Sequence, residues 1–551
     1  MFNPKNNNKN SIFNKNQPKI TSMFSSNSNS NSNINITDKI NSHELSEIKN
    51  QNKYQNDQGI SSYLGEKGYT IYKSALPKEE LNFIKNELTV RPFIPKSPIQ
   101  PPSFPIYRES NQKIYIPRYF GYEYYGKPDE SRISQGEDIQ LIFNGTLRDY
   151  QQEVVKLYLN QVRKDEFGGG GLLDLATGSG KTVLALNIIS QLNKKTLIIV
   201  HKSFLLNQWL ERITQYLPLA RVGRIQGQII DIENKDIVIG MLQSLSMKEY
   251  PGDMFKSFGL TVVDEVHHIS SEVFSRSLLK IVTKYTLGLS ATMQRKDGLT
   301  KVFKMYLGDI LYKSKTNKGD KVLVKAIEYS VQDSEFNEVE YDYRGNPKFS
   351  TMMTKLCSFN PRSEYILSII KNELEENPDQ QMIVLAHNKN ILTYLHDGIK
   401  HRNIASSSVG YYLGGMKAED LKQSESKKII IATYAMASEG LDIPTLTTVL
   451  FATPKTDITQ SVGRILRVKH SNPLVIDIVD CHDLFKKQWL KRKEFYIKNN
   501  YKIIYNKKYK PGTRSVFGVE ESETNPDWKV VFDPENDIVP KLNINKCLVQ
   551  L

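Results

Sequence analysis

From about Leu147 onward, short β-branched runs alternate with longer amphipathic stretches, and this alternation limits the fold more than any other feature. Runs at Leu197–Val200, Ile237–Gly240, Leu260–Val263 and Thr286–Leu289 read as strands, and the stretches between them read as crossover helices. After a polar, Lys-rich interval near 312–362, the alternation resumes at Met382–Ala386, Val409–Leu413, Ile429–Thr433, Val449–Ala452 and Leu474–Ile478. Parallel strands joined by helices are the architecture that fits such a pattern. The expectation is therefore an α/β chain with two parallel-sheet domains in tandem, over 141–318 and 363–505, with 319–362 as linker or insertion. No short repeat of the kind that builds a solenoid is present.

The flanks have a different character. Residues 1–60 are dominated by Asn, Ser and Lys, with apolar residues too sparse for a core, so a disordered tail is expected there. Residues 61–140 turn aromatic and proline-rich and read as a small N-terminal module. Its tyrosines are interleaved with Arg108, Lys113 and Arg118, a pattern that suits base stacking and suits a tyrosine-rich core equally well. Beyond the second sheet, Lys486–Lys493 opens a basic, aromatic stretch running through Tyr501, Tyr505 and Lys507 to Lys510. It reads as a surface that tracks a polyanion backbone, with a solvated basic helix as the alternative. Residues 506–551 are assigned to a C-terminal tail.

A chain of 551 residues has room for three or four domains. Lys and Arg exceed Asp and Glu by 74 to 60, a formal charge of +14, which favours a polyanionic partner without separating nucleic acid from an acidic membrane. No apolar run approaches the roughly 18 residues of a spanning helix, and the first residues lack a signal-peptide pattern. A soluble intracellular protein without membrane contact is expected. Cys357, Cys481 and Cys547 lie too far apart to form a paired metal motif, so neither structural zinc nor an iron–sulfur cluster is expected.

The segment Ala176-Thr-Gly-Ser-Gly-Lys-Thr182 follows an apolar strand-like run and opens a helix-like one, the context that a phosphate-cradling loop needs. Gly178 and Gly180 let backbone N–H groups of Thr177 and Ser179 close around phosphates. Lys181 reaches the β and γ oxygens, and Thr182 holds Mg²⁺. The dipole of the following helix adds to the attraction. Leu175 stands where the usual loop has its first glycine, and the alanine–threonine opening in its place is a habit of nucleic-acid motors.

A carboxylate for the metal and a second one to orient the attacking water must accompany such a loop. Thr261-Val-Val-Asp-Glu-Val-His-His268 supplies them, with Asp264 at the carboxyl end of a buried strand as the Mg²⁺ carboxylate and Glu265 as the base. His267 fits a hydrogen bond across the cleft, a coupling role. The adjacent histidines point differently and no nearby cysteine completes a zinc site.

Six motifs occur here in the order found in superfamily 2 helicases: Leu147-Arg-Asp-Tyr-Gln-Gln152, the loop at 176–182, Asp264-Glu-Val-His267, Leu289-Ser-Ala-Thr292, Ala437-Ser-Glu-Gly-Leu-Asp442 and Gln460-Ser-Val-Gly-Arg-Ile-Leu-Arg467. Within that superfamily the chain resembles the xeroderma pigmentosum B-type branch, which includes poxvirus transcript-release helicases. The likeness is carried by Val200-His-Lys-Ser-Phe-Leu-Leu-Asn-Gln-Trp209, Gln294-Arg-Lys-Asp-Gly298 and Ile116-Pro-Arg-Tyr-Phe120.

The resemblance implies two RecA-like lobes, ATP with Mg²⁺, and movement along nucleic acid, DNA being favoured over RNA. Transcription machinery is an implied partner and a large DNA virus an implied source. It also implies that Arg148 and Gln151 contact the adenine end of the nucleotide. Gln460, Arg464 and Arg467 would meet the γ-phosphate when the lobes close. Gly440 and Asp442 would line the same cleft, Asp442 near the ribose. Ser290 and Thr292 would link the Asp264 region to strand binding. Gln208, Trp209, Gln243, Ser244, Asn388 and Thr433 would face the nucleic-acid groove, although Trp209 fits a core aromatic on its helix equally well.

Overall fold

The computed structural model describes residues 61–537 apart from 95–98, 177, 269–270, 292, 294, 296, 315–320, 440, 442, 467–469, 471, 508 and 510–527. The expected disordered tail lies outside the described residues, as do Thr177, Thr292, Gly440, Asp442 and Arg467.

Two eight-stranded, mostly parallel sheets with helices packed on them form two RecA-like domains. In the first sheet the order runs Ile229–Ile230, Val222–Gln226, Ile237–Met241, Thr196–Val200, Leu260–Asp264, Tyr285–Ser290, Gly170–Asp174, Ile310–Lys313. Only the Ile229–Ile230 edge is antiparallel. Strands such as Thr196–Val200 and Ile237–Met241 are buried along their whole length, because helices cover both faces. A strand hidden on both sides can present chemistry only at its ends. Asp264 pairs in register with Leu289, and Ser290 with Asp174, so three carboxyl ends finish level in the middle of the sheet.

The second sheet runs Val409–Tyr412, Ile429–Thr433, Gln381–Ala386, Leu446–Phe451, Leu474–Asp480, Leu323–Tyr329, Lys502–Asn506, Lys529–Phe532. Its extent differs from the sequence expectation at both ends. Leu323–Tyr329, inside the interval read as linker, pairs along its length with Leu474–Asp480 and also with Lys502–Asn506. Lys325 disguises it: this buried strand lysine is neutralised by Glu373, with Nζ 2.6 Å from Oε1. Lys529–Phe532, placed in the tail by sequence, adds the antiparallel edge.

In the basic stretch after this sheet the aromatic residues fold inward, while Lys486, Lys487 and Lys491 stay exposed. Trp489, Tyr496 and Tyr501 are buried, and Arg492 on the helix Asp483–Lys498 makes a two-point ion pair with Asp477, both bonds 2.8 Å. Its aromatic residues are therefore core rather than a stacking surface. A second buried pair joins Arg362 to Asp480, and Arg362 also donates to the Ala452 carbonyl at 2.9 Å.

The N-terminal module is a five-stranded sheet ordered Arg108–Glu109, Lys113–Ile116, Gly68–Tyr72, Ser62–Gly65, Glu130–Ser131. Leu64, Tyr69, Ile71, Ile114 and Ile116 alternate onto one face and are buried. Most of that face continues into the core of the first large domain around Phe303 and Tyr306. Gly121 permits the close approach of a helix, since a Cβ there would lie 2.2 Å from the Tyr69 ring. Tyr63, Tyr72 and Tyr115 lie on the opposite face with cations against them. Lys113 Nζ is 4.8 Å from the Tyr72 ring centroid, and the Arg132 guanidinium is 4.0 Å from that of Tyr63. The tyrosines thus divide between a buried core face and an opposite face that carries cations.

Arg118 fastens this module. It is buried and donates to the carbonyls of Lys284 at 3.0 Å, Phe167 at 3.1 Å and Gly168 at 2.7 Å. Replacing it leaves buried carbonyl groups without a donor, so Arg118→Met should cost about 3 kcal/mol in urea unfolding. A loss under about 1 kcal/mol would show that the module is held elsewhere.

Candidate active site at the carboxyl ends of the first sheet

The strand Gly170–Asp174 leads through a short loop into the helix Lys181–Leu192. Gly178 and Gly180 take φ of 82° and 77°, left-handed values that disfavour any side chain with a Cβ. At Gly180 a Cβ would also meet Gln151 Nε2 at 2.6 Å. Leu175 is wholly buried and its N–H donates to the Ser290 carbonyl at 2.9 Å, tying the loop to the neighbouring strand end. A glycine there would keep that bond but lose the buried side chain that packs the loop's base into the core. Ala176 is exposed, and its N–H donates to Ser314 Oγ at 2.9 Å.

Gln151 braces the loop with both ends of its amide. Its Oε1 accepts from Arg148 N–H at 2.9 Å, and its Nε2 donates to the Ser179 carbonyl at 2.9 Å. Tyr150 donates its hydroxyl to the same carbonyl. The Ser179 Oγ is buried without a hydrogen-bond partner. An orphaned hydroxyl inside a loop of left-handed glycines at a helix N-terminus fits a phosphate, which would supply the acceptor it lacks. Thr182 lies in the first turn of the same helix, half-buried.

Lys181 Nζ lies 3.2 Å from Glu265 Oε1, with both side chains largely shielded from solvent. Ser290 Oγ donates to Glu265 Oε2 at 3.2 Å, and His267 Nδ1 is 3.0 Å from the same hydroxyl. Glu265 has φ of 49°, the left-handed region that a side chain enters only under strain, and strain of this kind gathers at functional sites. Burial works against its charge but is outweighed by Lys181 and His267 and by the bonds from Lys181 and Ser290, so its carboxyl is held down at about 2. Burial and the adjoining Glu265 push Asp264 up. The two adjacent carboxyls thus differ in proton affinity, Glu265 being the one that ionises readily.

Sequence reasoning left several partners unread. Arg295 donates to the His267 carbonyl and pairs with Asp297, holding the turn after Glu265. His201 stacks on His268, with ring centroids 3.9 Å apart. Both residues fall in segments that marked the family resemblance, which was their only signal; Ser314 had none.

The nucleic-acid candidates sit at strand ends or in the helices that follow them, and all but one are at least partly exposed. Gln208, Gln243 and Ser244 follow the strands Thr196–Val200 and Ile237–Met241, whose ends pair as Met241 with Val200. Ser244 Oγ accepts from Gly227 N–H at 3.0 Å. Asn388 and Thr433 sit at or just beyond the ends of two paired second-sheet strands. Trp209 is the exception. It is only 1% exposed, and its Nε1 donates to Asp264 Oδ2 at 2.9 Å, so it belongs to the core beneath the site.

On the second sheet, Gln460 is half-buried in the helix Thr459–Val462. Arg464 is buried and donates to the carbonyls of Ala437 at 2.6 Å and Leu441 at 2.8 Å. In this conformation Arg464 braces the 437–441 segment rather than presenting itself to a phosphate. Among the described residues no group of three or more His, Cys, Asp or Glu could hold a metal, and no helix is long and apolar enough to cross a membrane.

Paired RecA-like sheets with a glycine loop, its lysine and a strand-end Asp–Glu define a nucleotide-hydrolysing motor class. Residues 144–295 match the family model "Type III restriction enzyme, res subunit", and 364–469 match "Helicase conserved C-terminal domain". A protein of Acanthamoeba polyphaga mimivirus that bears the name of an ATP-dependent RNA helicase is 38% identical over 448 residues, 79% of this chain and 85% of that protein. A helicase-named protein of Invertebrate iridescent virus 6 is 27% identical, covering 66% of this chain and 84% of its own. A DNA 3′–5′ translocase of Sulfurisphaera tokodaii is 28% identical, covering 60% and 81%. The chain belongs to the superfamily 2 helicases, in the branch that holds these viral proteins and the xeroderma pigmentosum B-type translocases, and it is an ATP-dependent helicase.

The environment of His267 sets a pH dependence. Burial lowers its proton affinity; Glu265 opposes this, while His201, Arg295 and Lys181 add to it. A histidine whose folded value lies below its ordinary value of about 6.5 costs stability as pH falls through that value, because the unfolded chain takes the proton more readily. His267→Gln should therefore lose less melting temperature than the wild type between pH 7 and about 5. Parallel losses in thermal melts would show that His267 is not held neutral.

Proposed function

We propose that the chain hydrolyses ATP with Mg²⁺ to move along a nucleic-acid strand, with DNA as its track and transcription as its setting. The observation that carries this reading is the Lys181–Glu265 pair, 3.2 Å apart beside Asp264 at level strand ends. In the reading, the loop at 176–180 with its Ser179 hydroxyl binds the phosphates, and Lys181 leaves Glu265 for the γ oxygens. Glu265, freed from that pair, orients the attacking water. Thr182 and Asp264 would hold Mg²⁺, whose chemistry there would be neutralisation of phosphate charge.

Arg148 would face the adenine end. Gln151 already braces the loop through both ends of its amide, so it acts there by shaping the site. Gln460 and Arg467 would complete the site from the second domain on closure, Gly440 and Asp442 would line the cleft, and Arg464 would keep the 437–441 segment in place for that event. Ser290, within reach of both Glu265 and His267, would couple the site to strand binding together with Thr292. Gln208, Gln243, Ser244, Asn388 and Thr433 would grip the strand backbone.

DNA is favoured by the resemblance to the B-type branch and by the archaeal relative's name, whereas the mimivirus relative is named for RNA. Phosphate release measured in parallel with single-stranded DNA, duplex DNA and RNA separates the two. DNA should stimulate turnover and RNA should not; stimulation by RNA alone would overturn the DNA assignment. Strand displacement run beside triplex displacement then distinguishes unwinding from translocation on duplex. Lys181→Ala should abolish stimulated turnover, and unchanged turnover would remove Lys181 from the site.

The tyrosine face of the N-terminal module would add a second, backbone-directed grip through Lys113 and Arg132. Lys113→Gln with Arg132→Gln should weaken DNA binding and flatten its log–log salt dependence by about 1 to 2. An unchanged slope would confine binding to the two large domains.

A further inference from the structure

The helix Ser203–Tyr216 buries Leu205, Leu206, Trp209 and Ile213 against the first sheet. Three of these four are aliphatic, as an inward helix face above parallel strands requires. Trp209 fills its place with an indole, among the largest fully buried side chains of the protein. Packing alone does not explain that choice, because a buried indole brings an N–H that must find an acceptor. It finds Asp264 Oδ2 at 2.9 Å, while the backbone N–H of Glu265 donates to Asp264 Oδ1 at 3.0 Å. Each carboxylate oxygen therefore holds one donor, which fixes the plane of the group and leaves a second lone pair on each oxygen for another partner.

The connection is long-range in sequence, 55 residues, but short in the sheet. Thr196–Val200, the strand that feeds this helix, is the hydrogen-bonded neighbour of Leu260–Asp264. The same segment makes a second contact, since His201 stacks on His268.

We propose that Trp209 is a positioning residue for metal binding: its indole N–H orients the Asp264 carboxylate so that the free lone pairs face Mg²⁺. The inference rests on the reading of Asp264 as the metal carboxylate. Residues that orient a metal ligand commonly contribute about 10- to 100-fold in metal affinity.

The test measures binding of a fluorescent ADP in excess Mg²⁺ and in EDTA, the ratio of the two affinities being the metal-dependent gain. Trp209→Phe keeps most of the bulk and removes the donor. Trp209→His keeps a ring N–H at the equivalent position and removes the benzo ring. The first should reduce the gain about tenfold with EDTA affinity unchanged. The second should melt lower yet retain more of the gain. A packing role predicts the reverse order, with the smaller ring worse in both respects. Asp264→Asn is the control for the underlying reading. If it keeps the full gain, that reading fails and the inference with it. If it loses the gain while Trp209→Phe matches the wild type, the inference alone is overturned.

Discussion

Parallel pairing buried on both faces is the constraint on which the rest of the structure depends. Where helices cover a sheet on each side, polar groups open to a ligand are confined to strand ends, those inside being paired as Lys325 and Asp477 are, and the register decides which ends meet. Here it brings the ends of Gly170–Asp174, Tyr285–Ser290 and Leu260–Asp264 level. The Leu175 N–H to Ser290 carbonyl bond locks the phosphate loop to that arrangement, and the Lys181–Glu265 pair spans it. A slip of one residue would turn Asp264 into the core and dismantle the site.

The pair also explains the electrostatics. A buried glutamate next to a buried aspartate should resist ionisation, yet Lys181 keeps Glu265 charged while Asp264 is pushed the other way. In the proposed cycle Lys181 is lent to Glu265 until a phosphate claims it. Release of Glu265 is then tied to nucleotide entry without any separate switch. Ser290 and His267 stand against the same carboxylate and are placed to report that event to the neighbouring strand ends.

Local signals made much of this legible in the sequence. The strand pattern located nine strands of the two large sheets to within a few residues, because β-branched runs between amphipathic stretches have few other folds. Leu323–Tyr329 escaped because Lys325 breaks its apolar run, and only the distant Glu373 makes that lysine acceptable in a core. Trp209 was ambiguous for a related reason. Its position on a helix is readable, but its partner lies 55 residues away and depends on strand order. Arg464 and Gln151 were readable as motif members, whereas their carbonyl and loop-bracing bonds are tertiary facts. The tyrosines of the N-terminal module divide between core and open face by strand alternation, which sequence shows only once the register is known.

The central claim is that Glu265, paired with Lys181 until a nucleotide enters, orients water for the hydrolysis of ATP. Single-turnover hydrolysis of pre-bound ATP by Glu265→Gln in the presence of DNA tests it most directly. The account predicts that ATP binds normally and then persists, with hydrolysis slowed by about 10² to 10⁴ relative to the wild type. Hydrolysis at the wild-type rate with ATP bound would contradict it.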